Sequence, residues 1–140
     1  PAALHGRARR VVAVEQNPVS FGYLEENVVL NHLEAVVEPL RGDNRTVRID
    51  PGHADRVFLG YLPTSLPWTG RAVGLIRPEG GWIHVHLLEG TKATLRSSEE
   101  RVRDEIADAG ATAGIVVARR VKPYSPGREH RVVDAEVRSR

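Results

Sequence analysis

Apolar positions along this chain fall into two rhythms, short runs that suit buried strands and stripes at three- and four-residue spacing that suit helices. Val11-Val12-Ala13-Val14 is a compact apolar run that stops on Glu15. Asn17-Pro18 follows at once, a good N-cap with proline at the first helical position, and Phe21, Leu24 and Val28 then form an apolar stripe to about Leu33. A second short strand is expected over 36–40, closed by the polar turn Gly42-Asp43-Asn44-Arg45. A third is expected over 54–60, with Tyr61-Leu62-Pro63-Thr64-Ser65 turning away from its end, and a short helix over 69–76. Gly80-Gly81 leads into a strongly β-prone run over 82–88. Ser97 with Glu100 reads as a capping box opening a helix whose buried stripe is Val102, Ile106 and Ala109 and whose stop is Gly110. Strands over 112–121 and 131–137, joined through Pro123-Tyr124-Ser125-Pro126-Gly127, are expected to pair antiparallel. Strands alternating with helices predict an α/β domain, Rossmann-like, with a mostly parallel sheet and a C-terminal antiparallel hairpin.

With 140 residues the chain is long enough for one cored unit and short for two. It starts at Pro1, contains no Met, and reaches its first strand within about ten residues, so residues 1–140 are expected to be the C-terminal part of a longer catalytic domain. Cysteine is absent, which excludes disulfides and thiolate metal sites and agrees with a cytoplasmic setting. No apolar run approaches the roughly 20 residues that span a bilayer, so no membrane partner is expected. Lys plus Arg number 20 against 18 acids, and all but two of the cations are Arg. The balance alone decides little, but Arg forks favour phosphates and planar bases. They cluster at Arg119-Arg120-Val121-Lys122 and from Arg128 to Arg131, on a hairpin whose plain alternative role is a solvated edge.

The candidate chemistry sits where strands stop. In open α/β sheets ligands lie across the carboxyl ends of the strands, and an acid there accepts hydrogen bonds from ribose hydroxyls, which makes Glu15 the first candidate. Asp43 could accept from an adenine amine and Asn44 offers both a donor and an acceptor, although Asp43-Asn44 also suits an Asx turn that satisfies its own backbone. His84 and His86, two apart on one strand, share a face and could supply a base; a packed, hydrogen-bonded role competes with that. As metal ligands they lack a convincing third partner, since His53 and His130 are distant in sequence, and no metal is expected.

Val14-Glu15-Gln16-Asn17-Pro18, Glu26-Asn27 with Asn31, Gly42-Asp43-Asn44-Arg45, Ala54-Asp55-Arg56-Val57, Gly60 to Ser65, Gly80-Gly81-Trp82-Ile83-His84-Val85-His86 and Tyr124-Ser125-Pro126-Gly127 occur in one order. Together, over almost the whole chain, they resemble the wybutosine-synthesising tRNA aminocarboxypropyltransferases, relatives of the tRNA guanine-N1 methyltransferases among class I S-adenosylmethionine enzymes. The resemblance implies transfer of the 3-amino-3-carboxypropyl group of S-adenosylmethionine to a demethylwyosine base beside the anticodon of phenylalanine tRNA, by a protein that is monomeric when full length. It implies cofactor contacts at Glu15, Asp43, Asn44 and the turn Gly60, Tyr61, Leu62 and Pro63, and RNA contacts at Arg45, Lys122, Tyr124 and Arg128. Tyr61 joins His84 and His86 as a catalytic candidate.

Three departures qualify the resemblance. Family members carry, before the position of Pro1, a first strand and a Gly-containing loop that cradles the methionine part of the cofactor, so residues 1–140 alone are expected to bind it weakly and to have weak or no activity. Related methyltransferases have Asn-Leu-Pro where this chain has Tyr61-Leu62-Pro63; the phenol adds a stacking face and favours another cofactor pose. Glu129-His130-Arg131 stands where relatives tend to have Trp-His, which removes a stacking aromatic. Methyl transfer is the nearest alternative. An inactive α/β piece that self-associates through unpaired strand edges and a nicotinamide-dependent oxidoreductase are the others.

Overall fold

The computed structural model describes residues 3, 6 and 8–138. Its contacts divide the chain into two compact units, Pro1–Arg48 and Ile49–Arg140, where the sequence reads as one.

The first unit is a β-α-β crossover. Strand β1 (Val11–Glu15) leads through Asn17 into helix α1 (Pro18–Leu30), and strand β2 (Val37–Arg41) returns parallel to β1, with Val11 opposite Val37 and Glu15 opposite Arg41. Asn17 starts the helix as expected, its Oδ1 accepting from the N–H groups of Val19 at 2.9 Å and Ser20 at 3.1 Å. The helix ends earlier than the apolar stripe suggested. Asn31 is the C-cap, and the side chains of Asn27 and Asn31 turn back to bond the carbonyls of Tyr23 and Asn27, an alternative to continued helix that the two Asn supply themselves. Leu33 then serves as an acceptor for Val36 and Val37 N–H at the entry to β2.

The second unit carries the larger core. Strands β3 (Arg56–Leu59), β4 (Gly81–Gly90), β5 (Thr112–Ser125) and β6 (Arg128–Arg138) form a sheet of order β3-β4-β6-β5, parallel between β3 and β4 and antiparallel beyond. Helices α2 (Thr69–Leu75) and α3 (Leu95–Asp108) cover one face. Ile83, Val85 and Leu87 of β4 and Val133, Ala135 and Val137 of β6 alternate onto that face and meet Val102 and Ile106 of α3; each large aliphatic so buried is worth about 1.5–3 kcal/mol.

Two expectations need correction here. The cap of α3 is Thr94, whose Oγ1 accepts from Ser97 N–H at 3.1 Å, so the helix begins ahead of the Ser97–Glu100 box. Ala109 is the C-cap and exposed, outside the buried stripe. The terminal hairpin is also longer than its apolar runs. Pro123 lies within β5, which an edge strand tolerates, and the chain reverses only at Pro126-Gly127, where Gly127 has a φ of 73°.

Gly81 fixes how closely β4 approaches its neighbour. A Cβ there would lie 2.6 Å from the carbonyl oxygen of Asp55 and 3.1 Å from Cγ2 of Ile76. Only glycine fits that crossing.

Candidate functional site

In the first unit, Glu15 closes β1 and the Gly42–Arg45 turn leaves the neighbouring end of β2. Gly42 N–H donates to the Glu15 carbonyl at 3.0 Å, so the acid and the turn stand side by side at the carboxyl ends of two parallel strands. One carboxylate oxygen of Glu15 accepts from Asn17 N–H at 2.7 Å. That bond turns the carboxylate toward the positive end of α1, and its second oxygen has no protein donor among the described residues. The Asx turn foreseen at Asp43 is present. Asp43 Oδ1 accepts from Arg45 N–H at 2.9 Å, and Arg45 Nη2 reaches Oδ2 at 2.5 Å, so Asp43 shapes the loop that presents half-buried Asn44.

In the second unit, Gly60, Tyr61, Leu62 and Pro63 follow β3, with a cis Leu62-Pro63 bond. Ser65 is fully buried and its hydroxyl donates toward the carbonyls of Leu59 and Tyr61, each at 2.8 Å, which ties the turn to the strand end. The turn is also laced to β4, through Ser65 N–H to the His86 carbonyl at 3.0 Å and Leu88 N–H to the Pro63 carbonyl at 2.7 Å. Tyr61 remains half exposed, edge-on to Trp68 with ring centroids 4.8 Å apart.

His84 and His86 do share the face of β4 opposite the helices, but their surroundings differ. His84 Nδ1 sits 2.6 Å from Asp134 Oδ1, its Nε2 lies 3.4 Å from Arg56 Nη1, and its ring stacks on Phe58. Both nitrogens of His84 are thus engaged by protein groups, the packed, hydrogen-bonded arrangement weighed for it from the sequence. Burial alone would raise Asp134; hydrogen bonds from His84 and Arg119 overcome it and hold the carboxyl below its usual range. His86 Nδ1 is 2.8 Å from His130 Nε2, a pairing the sequence separation of 44 residues concealed. Burial, then the neighbouring His130, lowers His86; burial, then Lys122, lowers His130. Among the described residues no group of three or more His, Asp or Glu side chains is arranged to hold a metal.

The Arg clusters split. Arg131 is wholly buried, its guanidinium donating to the Ala93 carbonyl at 2.6 Å, the Thr94 carbonyl at 2.8 Å, Ser98 Oγ at 3.1 Å and Glu129 Oε1 at 2.6 Å. It pins β6 to the start of α3. Glu129 and His130 are buried beside it, so this segment is core and not RNA-facing surface. Lys122, Tyr124 and Arg128 are exposed near the hairpin tip, where Lys122 opposes His130 and Ser125 opposes Arg128. Arg45 lies in the first unit, bonded to Asp43. A cleft of about 460 Å³ lies elsewhere, at the amino ends of β3 and β4 between Asp55, Arg77 and Trp82, and Arg77 in it is paired with Asp55.

A parallel strand pair ending in an acid and an Asx turn is the kind of strand-end arrangement at which α/β folds hold nucleosides. Residues 1–117 match the TRM5/TYW2 methyltransferase domain, and the chain belongs to that family. It is 32% identical over 97% of its length to a tRNA(Phe) (4-demethylwyosine(37)-C(7)) aminocarboxypropyltransferase of Methanocaldococcus jannaschii, and 30% identical over 98% to the protein of the same name from Pyrococcus horikoshii. The chain spans 53% and 48% of those two relatives, about half their length. The crystal structure of M. jannaschii TYW2 in complex with AdoMet matches all of this chain with a TM-score of 0.91 and 31% identity, over 63% of that chain. Trm5b from Pyrococcus abyssi matches 93% of this chain at a TM-score of 0.79 and 27% identity, over 38% of its own. The α/β, Rossmann-like methyltransferase fold expected from the sequence is therefore borne out.

Proposed function

We propose that the protein carrying this chain transfers the 3-amino-3-carboxypropyl group of S-adenosylmethionine to C7 of a 4-demethylwyosine base at position 37 of phenylalanine tRNA. The supporting observation is the strand-end acid Glu15, whose backbone carbonyl holds the Gly42–Arg45 turn at the neighbouring strand end, in a chain that matches aminocarboxypropyltransferases over nearly its whole length.

The residues fit the cofactor. Glu15 keeps one carboxylate oxygen without a protein donor, which suits a ribose hydroxyl. The half-buried Asn44 amide has a donor and an acceptor for a purine edge. Asp43 would share its carboxylate with Arg45, and an exposed pair of that kind gives way cheaply to a ligand donor. When bound, S-adenosylmethionine supplies a sulfonium whose adjacent carbons are electrophilic, with a neutral thioether as leaving group. Gly60, Tyr61, Leu62 and Pro63 are assigned to the cofactor by the same family likeness, and the half-exposed Tyr61 ring suits stacking on a tricyclic base. Orientation of the acceptor carbon against one of those carbons selects the product and supplies most of the rate gain. Lys122, Tyr124 and Arg128 at the hairpin tip, with Arg45, are assigned to the tRNA, and the cytoplasm to the protein as its compartment.

Methyl transfer to guanine N1 is the second reading, favoured by the similarity to Trm5b and opposed by Tyr61, whose phenol offers a stacking face suited to a larger, tricyclic base. The thioether product decides. The whole protein, given S-adenosylmethionine and tRNA bearing 4-demethylwyosine, should release methylthioadenosine. Release of S-adenosylhomocysteine would establish methyl transfer, and release of neither would refute both.

A further inference from the structure

β4 outruns β3. The parallel register places Leu59 opposite Val85, so His86 is level with Gly60, the first residue of the strand-end turn that carries Tyr61. The turn is bonded to the His86 carbonyl itself and to Leu88 two residues on. His86 is therefore the titratable side chain of β4 that stands beside the end of β3, on the sheet face that α2 and α3 leave open.

Its chemistry is suited to one task. Nδ1 is occupied by His130 Nε2 at 2.8 Å, and Nε2 has no partner among the described residues. His130, 9% exposed, has its remaining nitrogen Nδ1 buried without a protein partner. Two neutral rings share one hydrogen in that contact. When His86 Nδ1–H is the donor, His86 Nε2 holds an in-plane lone pair and His130 keeps its own hydrogen on Nδ1. His84, on the same strand face, cannot take this part because Asp134 and Arg56 occupy it.

We propose that His86, oriented by His130, is the general base that removes the acceptor's proton. The inference rests on the transfer reading above and adds a residue to it. As the acceptor carbon attacks, the new C–C bond forms and the C–S bond breaks, the bonding pair leaving with sulfur as a neutral thioether. The ring left cationic then loses its C–H proton to His86 Nε2, and the C–H pair restores aromaticity. His86 ends as imidazolium and returns the proton to solvent after release. In the methyl-transfer reading the same nitrogen would take the guanine N1 proton.

The groups facing this imidazole are His84 and Asp134 on its own sheet face, His130 with Lys122 behind it, and Arg119 on Asp134. Their balance, with burial, holds His86 below the usual imidazole range, so at pH 7 it is neutral and able to accept.

The test is a single-turnover transfer rate from pH 5 to pH 9 in the whole protein, with S-adenosylmethionine and tRNA bearing 4-demethylwyosine. The wild type should lose rate with a one-proton acid limb. His86→Gln should lower the rate about 10²- to 10⁴-fold and abolish that limb, with cofactor and tRNA binding within about twofold. His130→Gln, which removes only the orienting partner, should cost less and move the limb. Wild-type product with an unchanged rate and profile in His86→Gln would overturn the role of His86 and leave the transfer reading standing. No product from the wild type would overturn both. If His86→Gln does not fold, imidazole ¹⁵N resonances of the wild type carry the test. A His86 signal that moves when the acceptor tRNA binds supports the assignment, and one that stays still refutes it.

Discussion

Replacing Arg131 by Met should strongly destabilise the second unit. The guanidinium is wholly buried and makes four hydrogen bonds, at 2.6 Å to Glu129, 2.6 Å and 2.8 Å to the Ala93 and Thr94 carbonyls, and 3.1 Å to Ser98. Met fills similar volume, so the cavity term is small, but the change strands a buried carboxylate and three acceptors. Breaking a buried ion pair from one side costs roughly 3–5 kcal/mol. Arg120 Nε stays 3.1 Å from Glu129 and is largely exposed, so it can follow the carboxylate toward water, which favours the lower end, about 3 kcal/mol. Trp68 and Trp82 both lie in this unit, and their fluorescence during urea unfolding reports it alone. With a slope of about 1–1.5 kcal/mol per molar, the midpoint should fall by about 2–3 M. The double variant Arg131→Met with Glu129→Leu should regain most of the loss, because the charge is removed with its partner. A midpoint within about 0.5 M of wild type at unchanged slope, or a double variant no better than the single, would refute the account.

Glu15→Gln keeps an acceptor for Asn17 N–H and removes the charge offered to the ribose; calorimetry should show S-adenosylmethionine binding to the whole protein weakened about 10- to 100-fold with helix content unchanged. Gly81→Ala should destabilise the second unit by at least about 2 kcal/mol, seen as a lower thermal midpoint, because its Cβ would stand 2.6 Å from the Asp55 carbonyl and backbone must move. Arg128→Ala should weaken tRNA binding across sequences and flatten its salt dependence by about one unit of slope; an unchanged slope would remove Arg128 from the RNA surface. His86 and His130 are both held below the ordinary imidazole range, so the unfolded chain binds more protons near pH 6. Their contribution is full above the unfolded value of about 6.5 and is lost as pH falls through the lowered folded values. Urea midpoints at pH 7.5 and 5.5 should differ in the wild type and differ less in His86→Gln.

Much of the fold was legible because local chemistry and tertiary packing agree along most of the chain. Asn17-Pro18 fixed the start of α1, and the apolar runs around Val12, Val57, Val85 and Val133 are all strands. What escaped was set by neighbours or by competing polar groups. Thr94 won the cap of α3 over Ser97 because its hydroxyl meets the Ser97 N–H, and Ser97 answers by donating to the Thr94 carbonyl at 2.8 Å, a reciprocal pair that the Ser97–Glu100 spacing outshone. The polar half of the terminal hairpin reads as loop, since nothing in Lys122-Pro123-Tyr124 announces a strand. It is extended because β6 offers its ladder, Lys122 pairing with His130 and Pro123 with Glu129.

The same dependence on register explains which parts of the site could be foreseen. Glu15 and the Gly42 turn were visible because each marks a strand end by itself, and two parallel strands joined by one helix bring their carboxyl ends together. The His86–His130 pair was not visible, and spacing argued against it. Antiparallel pairing of β4 with β6 sets Leu88 opposite His130 and Val132 opposite His86, so the two imidazoles are diagonal neighbours on one sheet face. A one-residue slip of β6 would carry His130 to the helix-covered face and bring Arg131 out to solvent. Arg131, locked to Ala93, Thr94 and Ser98, resists that slip, because the guanidinium finds these three acceptors only in the observed register. The buried arginine that looked like part of a surface cluster is thus what keeps the histidine pair assembled. It follows that Arg131→Met should disturb the imidazole ¹⁵N signals of His86 and His130 in any fraction that still folds, whereas Arg128→Ala, three residues away on the exposed tip, should leave them in place.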